Sequence, residues 1–147
     1  MRTLATSLLV RGLGLWLALG GAAGCSHRDA PAQRAATAVP TVSVDELDAM
    51  LARHECRPVD ANGDDTRRHM GVIPGAVLLR DMETKGEVVD QLPADKATGL
   101  VFYCANTACR ASHEAAAQAI AAGYTRVREL PEGIAGWVKA GKPTTAI

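Results

Sequence analysis

Short apolar runs alternate, after residue 40, with segments whose apolar residues have a helical spacing. Runs of about four residues that are bounded by turn-forming residues are typical of strands. Strands are predicted at residues 58–61, 76–79, 100–103 and 127–130. The run at 100–103, Leu-Val-Phe-Tyr, has no polar break, which is the pattern of a central strand that is buried on both faces.

Helices are predicted between and after these strands. Ser43 and Glu46 have the spacing of a capping box, and the apolar residues Leu47, Met50 and Leu51 that follow lie on one helix face. Further helical segments are predicted at residues 66–70, 112–122 and 134–140. Residues 81–99 are mostly polar and lack a period, so they are predicted to be irregular.

The alternation of strands and helices predicts the fold class. Strands that are connected through helices form a parallel sheet with helices on both faces. We therefore expect residues 41–147 to form an α/β domain with a small, mainly parallel sheet of about five strands. Functional sites in such sheets lie at the carboxyl ends of the strands, and Cys104 directly follows the predicted central strand.

Residues 1–24 have the features of a secretory signal peptide. Arg2 and Arg11 precede an apolar stretch at residues 13–23, which is shorter than the ~20 residues of a membrane span. The ending Ala-Ala-Gly-Cys resembles the bacterial lipoprotein signal, and this resemblance implies that Cys25 is lipidated after cleavage. The alternative is a plain signal peptide, in which Cys25 has no special role.

The segment that follows is rich in Ala, Pro, Ser, Thr and Gln and has no apolar period. We interpret residues 25–40 as a lipidated cysteine and a flexible tether. The lipoprotein resemblance implies a periplasm-facing protein of the bacterial cell envelope, held in the outer membrane if the source is Gram-negative. The lipid anchor would be its only membrane contact.

The charge balance narrows the range of partners. Residues 1–24 contain two Arg and no acidic residue, so the rest of the chain has 14 basic and 16 acidic residues. This balance does not indicate a nucleic-acid-binding protein. We expect a monomer whose partners are small molecules.

Three cysteines remain if Cys25 is lipidated: Cys56, Cys104 and Cys109. An odd number leaves at least one thiol without an intramolecular disulfide partner, unlike the pattern of a disulfide-stapled fold. Cys56 is not accompanied by other residues at a metal-ligand spacing. We therefore predict neither a metal site nor a cofactor.

Cys104 is the main candidate for a nucleophile. It lies between the strand at 100–103 and the helix at 112–122, where unpaired N–H groups and the helix dipole favour negative charge. Such a setting is expected to stabilise the thiolate, which is the reactive form of cysteine. The alternative is a structural cysteine that is buried at a strand end.

Several short motifs together resemble the rhodanese-like domain family, and the resemblance covers nearly all of residues 41–147. The similar segments are residues 59–60, 71–76, 92–96, 101–104, 123–124, 130–137 and 141–143. Two positions depart from the family pattern: Asn62 replaces an early arginine, and Val72 replaces a histidine.

The resemblance implies a sulfurtransferase. Cys104 would carry sulfane sulfur as a persulfide, taken from a small donor such as thiosulfate or another persulfide and passed to a thiol or other acceptor. The loop N–H groups would bind the anionic sulfur species, and the Arg110 side chain would help to bind the donor. The loop residues assigned to anion binding are Ala105, Asn106, Thr107, Ala108, Cys109, Arg110 and Ala111.

Two features of this loop leave other functions open. Cys104 and Arg110 have the Cys-x5-Arg spacing of phosphatases and arsenate reductases, although Tyr103 occupies the position of their usual histidine. Cys109 is either a resolving thiol that forms a disulfide with Cys104 or a residue that only lines the loop. The disulfide requires the two Cα atoms to lie within about 7 Å. A non-catalytic thiol-redox or binding module is the third alternative.

Overall fold

The computed structural model describes residues 38–80 and 87–147. The predicted signal peptide, Cys25 and the tether as far as residue 37 lie outside the described residues. Two residues of the predicted tether lie in the packed structure. Val39 is buried, and the carbonyl oxygen of Pro40 accepts a hydrogen bond from the N–H of Glu129 at 2.9 Å.

The sheet has four parallel strands in the described part of the chain, in the order β2-β1-β3-β4. They are β1 (Arg57–Asp60), β2 (Val77–Leu78), β3 (Leu100–Tyr103) and β4 (Val127–Leu130). All four lie where the sequence predicts them, and β3 is central and buried along its whole length. The expected count of about five was too high. Thr41 forms only an isolated bridge with Glu129, because the capped helix begins three residues later.

Five helices accompany the sheet in the described residues: α1 (Val44–Ala52), α2 (Asp64–Met70), α3 (Glu87–Asp90), α4 (Ala111–Ala121) and α5 (Gly133–Lys139). The capping box of Ser43 and Glu46 is confirmed, with both reciprocal hydrogen bonds formed. The sequence did not predict α3, a single turn whose Val88 is fully buried. Burial of the Val88 side chain stabilises this turn, although the sequence around it has no helical spacing of apolar residues. Within residues 38–80 and 87–147, no helix has the length and apolarity needed to cross a bilayer.

The side chains of β3 alternate between two apolar clusters, one on each face of the sheet. Leu100 and Phe102 belong to the cluster that contains the alanines of α4. Val101 and Tyr103 belong to the cluster that contains Leu47 of α1 together with side chains of α5. The predicted arrangement of helices on both faces is therefore confirmed.

A buried ion pair joins three elements near the carboxyl end of β1. Asp60 is fully buried, and its Oδ1 accepts from the Nε of Arg67 on α2 at 3.0 Å. The Arg67 guanidinium also donates to the carbonyl oxygen of Leu79, which follows β2, at 2.7 Å. The N–H of Asn62 completes the carboxylate's environment at 2.7 Å. Sequence analysis did not identify Arg67, which supplies the positive charge that Asn62 cannot.

Candidate active site

Cys104 directly follows β3 and begins the loop that leads to α4. Its side chain is 1% exposed and belongs to the same apolar cluster as Phe102 and the alanines of α4. The sulfur therefore lies at the carboxyl end of the central strand, as the sequence predicts, but beneath the surface of the loop. This burial affects both its access to substrates and its ionisation.

The first turn of α5 holds the backbone at the start of the loop. The N–H groups of Ile134 and Ala135 donate to the carbonyl oxygens of Cys104 and Ala105 at 2.8 and 3.0 Å. The C=O and N–H of one trans peptide point in opposite directions. Because these two carbonyls face α5, the N–H groups of Ala105 and Asn106 face away from it, towards the loop.

The approach of α5 to the loop depends on Gly133. Its φ is +60°, and a Cβ there would clash with the carbonyl oxygen of Cys104 and lie 2.9 Å from that of Ala105. Only glycine fits both the positive φ and the close contact. The residue is thus the contact point between α5 and the loop.

Hydrogen-bond donors from the loop and from the first turn of α4 converge on Cys109. Burial, the largest single influence, opposes ionisation of this thiol. It is outweighed by hydrogen bonds from the Cys104 side chain and from the N–H groups of Ala105, Ala111 and Ser112. The pKa of Cys109 is therefore lowered, so Cys109 rather than Cys104 is the more acidic thiol of the loop.

Other predicted anion-binding N–H groups are used within the loop itself. Asn106 accepts two of them, each at 3.0 Å. The N–H of Ala108 donates to the Asn106 side-chain oxygen, and the N–H of Cys109 donates to the Asn106 backbone carbonyl oxygen. Asn106 and Thr107 are exposed at the loop tip. Seven N–H groups, those of residues 105–111, were expected to point into the loop. Of these, the N–H groups of Ala105 and Ala111 interact with Cys109, together with that of Ser112.

The pKa of Cys104 is raised, contrary to the expectation from the sequence. Burial is the main cause, and the interaction with the Cys109 side chain adds to it. The hydroxyl and N–H of Ser112 act in the opposite direction without overcoming burial. At rest, Cys104 is therefore a protonated thiol beside a more acidic partner.

A chain of polar side chains connects Cys104 to the surface. The Ser112 hydroxyl lies 3.2 Å from Cys104 Sγ and 2.8 Å from Glu129 Oε1. Glu129 Oε2 lies 3.0 Å from Nδ1 of His113, whose side chain is 40% exposed. Glu129 is itself buried, so this carboxylate is held by Ser112 and His113.

The comparison with protein families identifies the domain. The model of the rhodanese-like domain matches residues 43–140. The chain belongs to this family. The family match includes β1 to β4, the Cys104 loop and α5 up to its C-terminus, so the resemblance predicted from short motifs is confirmed.

Solved structures similar to this rhodanese-like domain include two sulfurtransferases. A thiosulfate sulfurtransferase from Pseudomonas aeruginosa is 25% identical with a TM-score of 0.56, over 74% of this chain and 20% of that one. A human single-domain sulfurtransferase is 24% identical with a TM-score of 0.57, over 69% of this chain and 97% of that one. The comparison with curated proteins gave no match.

A third similar structure has a different description. It is a protein of unknown function from Rhodopseudomonas palustris, described as a possible tyrosine phosphatase. The two chains are 24% identical with a TM-score of 0.58, over 73% of this chain and 85% of that one. Similar structures with this fold are thus described both as sulfurtransferases and as a possible phosphatase. The fold alone does not identify the reaction, which has to be inferred from the site.

The rhodanese-like loop brings together only some of the residues predicted from the sequence. Cys104 and Cys109 are neighbours, whereas the Arg110 side chain is 81% exposed and its Nε lies 3.8 Å from Glu114 Oε1. Cys56 precedes β1, at the opposite end of the strands, and burial raises its pKa to about 11. In residues 38–80 and 87–147, His, Cys, Asp and Glu side chains form no group of three that could hold a metal ion.

Sequence analysis missed Ser112 and Glu129 as site residues. A signal for Glu129 was present, because alternation along β4 places Val127 and Glu129 on the face that packs against α4. A carboxylate on a buried strand face needs a polar partner. The partners, Ser112 and His113, are 17 and 16 residues away in the sequence, so no local pattern identifies them.

Proposed function

We propose that this rhodanese-like domain is a sulfurtransferase that carries sulfane sulfur on Cys104. The observation that supports the proposal best is the convergence of two thiols and three loop N–H groups on one small space at the carboxyl end of β3. N–H donors in such a space bind anionic sulfur without a cationic side chain. The names of two similar structures, both sulfurtransferases, agree with this chemistry.

The first step of the proposed reaction uses both thiols. The side chains of Cys104 and Cys109 interact in the loop, so a Cys109 thiolate is placed to take the proton as Cys104 becomes a thiolate. The Cys104 thiolate attacks the sulfane sulfur of thiosulfate, and the S–S bond of the donor breaks. Sulfite leaves with the electron pair of that bond, and a persulfide remains on Cys104.

The partners and the location belong to the same proposal. The donor is a small sulfur compound, thiosulfate or a persulfide, and the acceptor is a thiol. The chain acts as a monomer with no cofactor, held at the periplasmic side of the bacterial cell envelope by a lipid on Cys25. We place it in the outer membrane if the source is Gram-negative.

Arsenate reduction or phosphate ester hydrolysis through the Cys-x5-Arg spacing is not the function that the geometry favours. These reactions need the arginine fork to bind the oxyanion. The Arg110 guanidinium is instead exposed and lies near Glu114, and Cys109 occupies the space beside Cys104. The rhodanese-like fold of the possible phosphatase from Rhodopseudomonas palustris is shared, but a shared fold does not transfer an activity.

The proposal is tested by mixing the reduced full-length chain with thiosulfate and measuring the sulfite released in the first turnover. We expect about one sulfite per chain for the wild type and for Cys56→Ser, and none for Cys104→Ser. Sulfite release that persists in Cys104→Ser, or is absent in the wild type, contradicts the proposal. The second result would leave a non-catalytic thiol module.

A further inference from the structure

The two thiols of the loop differ in access. Cys104 is 1% exposed and belongs to the apolar cluster beneath the loop. Cys109 is only half-buried and borders the exposed loop residues Ala108 and Arg110. A persulfide on Cys104 is therefore expected to react first with a neighbouring group of the protein itself.

Cys109 is that neighbour. Its side chain packs against the apolar cluster that contains Cys104. The Cys104 thiol and the N–H groups of Ala105, Ala111 and Ser112 interact with the Cys109 sulfur and favour its thiolate. Three amide donors stabilise a thiolate, which is the form that attacks disulfides and persulfides. The orientation of the Ala105 amide is fixed independently, since the carbonyl oxygen of the same peptide is bonded to Ile134 of α5.

We infer that Cys109 attacks the Sγ of the Cys104 persulfide, expels hydrosulfide and leaves a Cys104–Cys109 disulfide. The domain would then be a reductase of sulfane sulfur that releases sulfide. This inference rests on the proposed function, because it needs the persulfide on Cys104 as its starting point.

The step balances within the site. A bond forms between the sulfur of Cys109 and the Sγ of Cys104, and the bond between that Sγ and the terminal sulfur breaks. The proton that Cys109 took from Cys104 in the first step passes to the terminal sulfur, which leaves with the electron pair as hydrosulfide. The sulfane sulfur is reduced, and the two cysteines are oxidised to the disulfide. An external dithiol then reduces the disulfide at the more exposed Cys109 and is itself oxidised to a disulfide.

The leaving groups decide which sulfur atom is attacked. Attack on the terminal sulfur would move it to Cys109 and expel the Cys104 thiolate. Burial raises the pKa of Cys104, and a thiol with a raised pKa is a poor leaving group. Attack on the inner sulfur expels hydrosulfide, which is free to leave, and the Cys109 side chain already contacts this inner atom.

The test is a single-turnover experiment on the full-length chain, reduced, freed of reductant and kept anaerobic. Thiosulfate is added, sulfite and sulfide are measured, and the peptides that contain Cys104 and Cys109 are mapped by mass spectrometry. For the wild type we expect sulfide equal to the sulfite and a disulfide between the two loop cysteines. Cys56→Ser is the matched control and should behave in the same way.

Cys109→Ser should release sulfite but no sulfide, and its Cys104 peptide should retain one additional sulfur atom. Sulfite with no sulfide and no loop disulfide in the wild type overturns the inference and leaves the proposed function standing. Persulfide migration to Cys109 without sulfide also overturns it. Absence of sulfite in both proteins overturns the proposed function, and this inference with it.

Discussion

The buried carboxylate of Glu129 is connected to the buried Cys104 thiol through the Ser112 hydroxyl. The Ser112 hydroxyl has one proton and two acceptors, Cys104 Sγ at 3.2 Å and Glu129 Oε1 at 2.8 Å. The carboxylate is the stronger acceptor, because charge-assisted hydrogen bonds are the stronger ones. The Glu129 carboxylate therefore competes with Cys104 for the single Ser112 proton, and this competition weakens the support that Ser112 gives to a thiolate on Cys104.

Glu129→Gln is expected to make Cys104 more acidic. The amide keeps the size of the side chain, removes its charge and frees the Ser112 proton for the thiolate. We expect the pH at which Cys104 reaches half its maximal rate of alkylation to fall by about one unit. The measurement is the rate of iodoacetamide labelling against pH in a Cys109→Ser background, where Cys104 is the only thiol of the loop.

Glu114→Gln is the matched control for this experiment. Glu114 lies on α4 but is exposed, with its carboxylate near Arg110, so its charge is screened from Cys104 by water. The imidazole of His113, which contacts Glu129 in the wild type, is present in both variants. An unshifted pH profile in Glu129→Gln, or an equal shift in Glu114→Gln, would show that Glu129 does not control the ionisation of Cys104.

At the scale of the elements, the contact between α5 and the loop determines where the loop amides point. The two hydrogen bonds from the first turn of α5 fix consecutive peptides at Cys104 and Ala105. Gly133 permits this contact through its positive φ and the absence of a side chain. A helix that lies 29 residues after Cys104 in the chain thus orients the site.

Gly133→Ala is expected to displace the loop. The methyl group would clash with the Cys104 carbonyl, and the positive φ adds about 1–3 kcal/mol of backbone strain. Misplacement of the reacting sulfur should slow sulfite release from thiosulfate by at least about tenfold. Initial rates of sulfite release and the unfolding free energy measure the two effects.

Gly141→Ala is the control for Gly133→Ala, because it introduces the backbone strain of a positive φ without a steric clash. Gly141 has a φ of +70°, close to the +60° of Gly133, but a Cβ there would meet open space. This variant should lose stability from strain alone and keep its sulfite release. Equal loss of activity in the two alanine variants would mean that the α5 contact does not orient the loop.

At the scale of the whole molecule, the pair of Asp60 and Arg67 ties the carboxyl ends of the strands together. Arg67 joins α2 to β1 and to Leu79 after β2, and Asp60 also interacts with the Tyr103 hydroxyl at the end of β3. Burial, with the negative charge of Asp60, raises the pKa of this hydroxyl and keeps it a donor. The pair is therefore a structural support directly beside the Cys104 position.

Arg67→Met should be severely destabilising. It leaves the Asp60 carboxylate buried without its counter-charge, which typically costs about 3–5 kcal/mol of folding free energy. Arg68→Met, one residue later on α2, removes a surface pair with Asp65 and should change stability by no more than about 0.5 kcal/mol. Urea unfolding of both variants is the measurement. Similar midpoints for the two would contradict the assigned role of Arg67.

The sequence predicted the strands well because their signal is local. Each strand is a short apolar run between turn residues, and α1 begins at a capping box that is complete within four residues. The single turn of α3 was missed because one buried valine has no period to detect. The strand count was overestimated because Thr41 pairs with Glu129 at only one position.

Chain order and periodicity predicted the parallel α/β sheet and the position of Cys104 at the end of the central strand, and the resemblance of several short motifs predicted the rhodanese-like family. Only the tertiary structure decided that the loop amides converge on Cys109, that Glu129 and Ser112 flank Cys104, and that Arg67 neutralises Asp60. Strand and helix patterns repeat within a few residues, so they can be read along the chain. The environment of a sulfur atom is set by peptide orientation and by side chains from several packed elements, which meet only when the domain folds.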